Sequence, residues 1–299
     1  MYRSTLALLL VFFLMLIVVM LTSESLLVIQ RIAHVSAVQG TVDYRDKPAS
    51  PWQTLREGML VRAGSQVRTG PSASLILTWA DGTKVKVGAD TLLSVEKCFA
   101  KSGTDQEVSL FRLHHGRVWT RIAKRLGEQS EFEVATPGAV AGVRGTIFSV
   151  EARETKGKTE SVVSVHEGHV QLTTPSSARL VSSGRVAVVS AAGDLRVRDQ
   201  LPGEVGQWLA NQDLLLPSLE VTSPREGEAV SSDRISVVGR AEPEATVTIN
   251  GVPTAIDSCG RFRTQHKLSP GQNRIRVTAE DVAHRVRACE LSVVLKPRD

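Results

Sequence analysis

The chain has 299 residues, 42% of them hydrophobic and 22% charged, with a formal net charge of +5. That is enough sequence for two ordinary domains with real cores, and the balance excludes a disordered or low-complexity chain. The mild basic excess falls mostly between residues 31 and 200, without an arginine-rich run or an aromatic-interleaved basic patch, so nucleic acid is not expected as a partner.

The N-terminus carries sixteen unbroken apolar residues, LALLLVFFLMLIVVML, from Leu6 to Leu21, behind Arg3. As a helix from Thr5 to Thr22 this segment would rise about 27 Å, close to the ~30 Å hydrocarbon core of a bilayer. Two readings stand. The favoured one is an uncleaved signal anchor within residues 1–30, because a cleaved signal peptide usually has an apolar stretch of only about 7–15 residues. The other is secretion after cleavage, for which Ser23 and Ser25 would form a weak cleavage site. The charge ahead of the helix puts the N-terminus in the cytoplasm. A single-pass protein results, with everything from about Ser25 exported and about five residues left inside.

Residues 31–200 read as short strands punctuated by glycine. SASLILTWADGTKVKV alternates apolar and polar residues on both sides of Asp81-Gly82, the strongest short signal for a hairpin. A related phrase returns three times, as QGTV (Gln39–Val42), HGRV (His115–Val118) and EGHV (Glu167–Val170). Its unequal spacing rules out a fixed-period solenoid and suggests one strand-turn-strand device reused in an elongated, wrapped β domain. WTRIAKRLGEQSE, 119–131, is open to a short helix or an irregular crossing.

The stretch ATPGAVAGVRGTIFSV, Ala135 to Val150, raises its own question, because a clear strand is entered through Pro137, three glycines and small residues. A phosphate cradle would lead into a helix N-terminus, whereas these glycines lead into a strand. Close packing of strands or layers is therefore expected, with Arg144 tying together carbonyls freed at a bend; a ligand-facing Arg144 is the alternative.

Residues 201–217, LPGEVGQWLANQDLLLP, place Val205, Trp208, Leu209, Gln212 and Leu215 or Leu216 at helical spacing, a short amphipathic helix ended by Pro217. Residues 218–299 offer six strand candidates separated by turns such as Asn250-Gly251, the pattern of an Ig-like β-sandwich. The fold class is thus all-β, with an N-terminal transmembrane helix and one short helix between the two β units.

Chemistry-bearing clusters are scarce. The three cysteines, Cys98, Cys259 and Cys289, leave open a Cys259–Cys289 disulfide or free thiols. His114-His115 and His166-x-x-His169 sit in strand text, where adjacent side chains point to opposite faces, and read as solvated histidines rather than as metal ligands. No nucleophile elbow and no obvious carboxylate pair is present. No enzyme, cofactor or metal site is expected.

Several ordered blocks carry a family resemblance: Trp52, Leu55, Gly58 and Leu60; Thr69-Gly70; Asp81-Gly82; Thr136-Pro137; and the run from Gly142, Val143, Arg144, Gly145 and Thr146 to Phe148. Together they resemble the FecR domain, while VTSPREGEAV and VVGRAEPEATVTING resemble bacterial Ig-like modules of the glucodextranase domain B kind. The resemblance implies an extracytoplasmic all-β domain of bacterial envelope proteins. The best-known members relay a signal from an outer-membrane transporter to a sigma factor through a cytoplasmic segment, for which Met1 to Thr5 leaves no room. The expected function is accordingly a noncatalytic binding or scaffold protein whose partner is an envelope protein or a cell-wall glycan. A signalling component without its own anti-sigma segment is the alternative. The motif residues from Thr136 to Phe148 are expected to be structural.

Overall fold

The computed structural model describes residues 28–296 apart from 124–125, 144, 156, 212–213, 215, 243–244, 258 and 282–283. The apolar run at 6–21 and Arg144 lie outside the described residues. Among the described residues, no helix is long and apolar enough to cross a membrane.

The first unit is built from β1 (Val28–Gln30), β2 (Ala33–Gln39), β3 (Val42–Arg45), β4 (Gln53–Thr54), β5 (Leu60–Val61), β6 (Gln66–Thr69), β7 (Ser74–Thr78), β8 (Lys84–Val87) and β9 (Leu92–Lys101). It continues through β10 (Glu107–Arg121), β11 (Glu131–Ala135), β12 (Val140–Val143), β13 (Ile147–Thr155), β14 (Lys158–Glu167), β15 (His169–Thr173), β16 (Ala178–Ser182), β17 (Arg185–Ser190) and β18 (Leu195–Asp199). These strands form two open sheets. The first runs β16-β15-β12-β11-β10-β9-β6-β3-β4, with β1 beside the far end of β9. The second runs β18-β17-β14-β13-β10-β8-β7-β2-β5. Both feed one core, with Leu93, Leu113 and Leu172 from the first sheet and Leu75, Val118 and Phe148 from the second. Alternation produces this directly: in β7, Leu75 and Leu77 are buried while Ser74, Ile76 and Thr78 are only half-buried. Asp81-Gly82 does close the β7–β8 hairpin, and the Asp81 carboxylate accepts the Thr83 N–H at 3.0 Å. A row of edge-on and tilted rings, Trp79, Phe111, Phe132 and Phe148, runs through the core with centroids 5.2–6.4 Å apart.

Strand β10 belongs to both sheets. Residues 107–115 pair in the first and 116–121 in the second. The transfer occurs at Gly116, whose φ is +91°. Gly40 and Gly168 of the repeated phrase likewise sit between strands of opposite sheets, at φ +71° and +82°. Two residues after each of the three glycines a fully buried valine, Val42, Val118 or Val170, resumes the core. The phrase is therefore a sheet-switching device: glycine takes the left-handed turn that other residues resist, and the valine anchors the new strand.

The answer for 135–150 is of the same kind. β12 lies in the first sheet and β13 in the second, and Gly145, at φ +78°, falls between them. The segment expected to hold either a helix or an irregular crossing, 119–131, begins instead as strand, since Trp119, Thr120 and Arg121 are paired on both sides by β13 and β8.

Helix α1 (Pro202–Leu209) follows, as its periodicity predicted. Pro202 opens it, and the Glu204 carboxylate accepts the Leu201 N–H at 2.8 Å while pairing with Arg198. Trp208 and Leu214 are buried against Ile147 of β13, whereas Val205, counted on the apolar face, is exposed. Gln212 and Leu215 lie outside the described residues.

The second unit comprises β19 (Leu219–Ser223), β20 (Glu228–Val230), β21 (Arg234–Ala241), β22 (Thr246–Ile249), β23 (Val252–Thr254), β24 (Arg261–Lys267), β25 (Gly271–Glu280) and β26 (Val286–Leu295). They form a three-stranded sheet, β19-β21-β24, and a five-stranded sheet, β20-β26-β25-β22-β23, around a separate core that includes Val237, Val247, Phe262, Ile275 and Val293. Cys259 is exposed and Cys289 half-buried, and the two are not bonded to each other in this structure. Phe262 is buried and offers no aromatic platform.

A Cβ at Gly116 would collide with Thr91 Oγ1 and come within 2.5 Å of Thr91 Cα, in a backbone region that side chains resist. Gly116→Val should therefore lower stability in urea unfolding by at least about 1–3 kcal/mol. Gly203→Ala, in α1 with nothing within 4 Å, should be neutral or stabilising by up to about 1 kcal/mol.

Candidate functional site

The motif residues singled out from sequence turn inward or bond within their own loops. Thr136 is buried, its Oγ1 bonding Ala139 O at 2.8 Å and Ser161 Oγ at 2.7 Å. Thr146 Oγ1 donates to His169 O at 2.8 Å. Val143 and Phe148 are core residues, Gly142 lies in β12, Gly145 makes the crossing and Pro137 is exposed on its turn. They do not converge on a cavity, and Arg144 lies outside the described residues.

The features that do converge lie on the outer face of the second sheet. The sequence Arg117-Val118-Trp119-Thr120-Arg121 alternates along β10, so Val118 faces the core while Arg117, Trp119 and Arg121 form an outward row. Each takes a different role.

Arg121 is fully buried. It leaves the end of β10 and enters the second unit, where Nη1 and Nη2 each donate to a Glu242 carboxylate oxygen at 2.9 Å, and Nη2 also donates to Asp281 Oδ2 at 2.9 Å. Glu242 follows β21 and Asp281 follows β25, so two loops of the second unit grip one side chain of the first. Arg285 completes the arrangement, donating from Nε to Asp281 Oδ2 at 2.8 Å and from Nη1 to Glu167 Oε2, back in the first unit, at 3.1 Å. Gly82, at the tip of the β7–β8 hairpin, lies so close to Glu242 that a Cβ there would come within 2.6 Å of its Cδ. Lys84 Nζ donates to Leu216 O at 3.0 Å. Burial alone would raise the Asp281 pKa. The Arg285 hydrogen bonds and the charges of Arg285 and Arg121 outweigh burial and hold the carboxyl below the usual aspartate range.

Arg117 and Trp119 instead line a groove. Its enclosed end, about 120 Å³, lies beneath α1 and is bounded by Ser149, Val162, Ser164, Glu204, Gln207 and Trp208. Its open end, about 410 Å³, is bounded by Gly88, Ala89, Asp90, His115, Gly116 and Trp119. Arg117, Glu151 and Arg153 are common to both ends. Arg117 faces Glu151 directly across the β10–β13 pair and salt-bridges to it, and it also donates to Gln207 Oε1 on α1. The helix is pinned by Trp208, which stacks on His166 with centroids 5.0 Å apart. His166 is thus half-buried beneath the helix rather than solvated, and burial pushes its pKa below the usual histidine value. Among the described residues, no three His, Cys, Asp or Glu side chains gather as a metal site would require.

None of these groove and joint residues was nominated from sequence. The 117-119-121 alternation was the available signal for the row. Nothing in the sequence points to the joint, because Arg121 meets partners 121 and 160 positions away.

Asp281 fixes the sign of one pH effect. Its folded pKa lies below the unfolded value of about 3.9, so its stabilisation is fully present above about pH 4 and is lost as pH falls through the depressed value. Thermal melts should show Asp281→Asn less stable than the parent at pH 7, with the gap shrinking as pH drops below about 4.

Residues 65–171 match the family model described as FecR protein, and residues 217–296 match that of glucodextranase, domain B. A Salinibacter ruber protein named peptide chain release factor 1 is 29% identical over 170 residues, covering 56% of this chain and 42% of its own length. The chain thus spans less than half of that relative. Crystal structures of a candidate anti-sigma factor from Parabacteroides distasonis align with TM-score 0.40 and 15% identity, over 78% of this chain and 99% of theirs. Fibronectin(III)-like modules of Clostridium thermocellum CbhA align with TM-score 0.22 and 10% identity, over 50% of this chain and 85% of theirs. At these scores the structural likenesses carry no functional argument. The chain carries a FecR domain over residues 65–171, followed by a glucodextranase domain B module over residues 217–296.

Proposed function

We propose that the chain is a noncatalytic binding or scaffold protein of the bacterial envelope, held to the cytoplasmic membrane by its N-terminal apolar segment, with both β units outside. The observation that carries this reading is the buried joint of Arg121 with Glu242 and Asp281. Two modules that merely followed one another on a tether would need no desolvated charges between them, whereas a presenting scaffold needs a fixed angle between its modules. The apolar run from Leu6 to Leu21 supports the anchor, and the extracytoplasmic setting rests on the FecR resemblance.

The FecR match itself favours a second reading, an envelope signalling component that works with a separate cytoplasmic partner. Deleting the gene and sequencing the transcripts separates the two. The scaffold reading expects unchanged sigma-dependent transcripts, an envelope defect, and capture of envelope partners by the crosslinked protein. Loss of one defined sigma regulon would instead establish signalling. A reporter fused behind Asp299 should be active only outside the cytoplasm; activity in the cytosol would overturn both readings.

A further inference from the structure

We infer that the groove over Trp119 is a binding site for an uncharged oligosaccharide segment. The inference rests on the binding-protein reading above and gives it a ligand class.

The groove has the size and chemistry for such a ligand. Ligand pockets commonly run about 300–1,000 Å³, and the open end, about 410 Å³, continues into an enclosed end of about 120 Å³. The enclosed end offers two serine hydroxyls, an amide, carboxylates and guanidiniums, a mixture of donors and acceptors suited to vicinal hydroxyls. The guanidiniums of Arg117 and Arg153 are matched by the carboxylates of Glu151 and Glu204, through direct pairs from both arginines to Glu151. Asp90 adds one carboxylate at the mouth. Such a lining has no positive field for a polyanion such as nucleic acid.

At the open end stands the half-buried indole of Trp119. It packs against the buried cluster of Ile147, Trp208 and Leu214, while its neighbours at the mouth are small. Gly88 lies so close that a Cβ there would come within 2.9 Å of the ring, and Ala89 and Gly116 complete the wall. The Arg117 guanidinium lies 5.5 Å from the ring centroid. With this guanidinium over the ring, the part of the indole left exposed at the mouth can take the C–H face of a pyranose whose hydroxyls are bonded at the rim. A peptide strand is a poorer fit. Along the floor β10 from Val118 to Arg121 and β13 from Ile147 to Ala152 are paired on both sides, which leaves an open edge of only three residues, Arg153 to Thr155, for strand addition.

The test uses the purified full chain in detergent, titrated with chitotetraose, cellotetraose and maltotetraose by calorimetry and tryptophan fluorescence. Heparin and short peptides are run in parallel. At least one neutral tetrasaccharide should bind saturably, and Trp119→Ala should weaken it about tenfold or more, the loss of one aromatic stacking platform. Arg153→Gln, at the rim, should also weaken it. If Trp119→Ala fails to fold, Arg153→Gln, a substitution of a partly exposed side chain, decides. The inference is overturned if no neutral oligosaccharide binds saturably, if binding is indifferent to these substitutions, or if only heparin or peptides bind in a Trp119-dependent way. Sugar binding in detergent does not depend on compartment. A failed reporter or capture experiment with intact sugar binding would therefore overturn the envelope reading and leave this site standing.

Discussion

The fully buried guanidinium of Arg121 is the centre of the contact between the two β units. It lies out of water between two carboxylates of the other unit, with a second arginine behind them returning to the first. Bringing such charges out of solvent costs several kcal/mol per ion, and good geometry does little more than repay it. An apolar contact of similar area would stabilise as well but would tolerate sliding. The ionic contact accepts one arrangement, because every oxygen that faces Arg121 is aimed by a loop of the second unit, and Gly82 leaves the room that Glu242 occupies. We read the joint as fixing an angle more than as adding stability.

The strand that ends in this joint organises most of the molecule. β10 contributes Phe111 and Leu113 to the core from the first sheet and Val118 from the second. It changes sheets at Gly116, places Trp119 and Arg117 in the groove, and delivers Arg121 to the second unit within five residues. The groove and the joint are thus joined by a short, doubly paired segment of strand. Helix α1 roofs the groove on one side and is itself held by Arg117, by Arg198 and by the His166–Trp208 stack, so the groove, the roof and the joint share one sheet face.

Local patterns made part of this legible in the sequence. Alternation around Asp81-Gly82 marked a real hairpin, helical spacing over 201–217 marked the one helix among the described residues, and the repeated Gly-x-Val phrase marked a recurrent device, whose role as a switch between sheets needed the pairing to be seen. Boundaries failed where tertiary pairing overruled local appearance: Trp119 to Arg121 looked like the start of a crossing but is locked between two neighbours. The chemistry was the least legible part. Acids judged scattered, Glu242 and Asp281, are brought onto one guanidinium by two separate loops. His166 looked solvated because its cover, Trp208, lies 42 residues further on. Residue types alone cannot disclose partners that only a fold with long-range pairing brings together.

The central claim, that buried charges make the two units one body, is tested most directly by calorimetry of the full chain and of Arg121→Ala at neutral pH. The account predicts one cooperative transition in the parent, and in the variant a lower, split transition in which the units melt apart, since removing one partner of a buried ion pair costs about 3–5 kcal/mol. Two independent transitions in the parent, unmoved by the substitution, would contradict it.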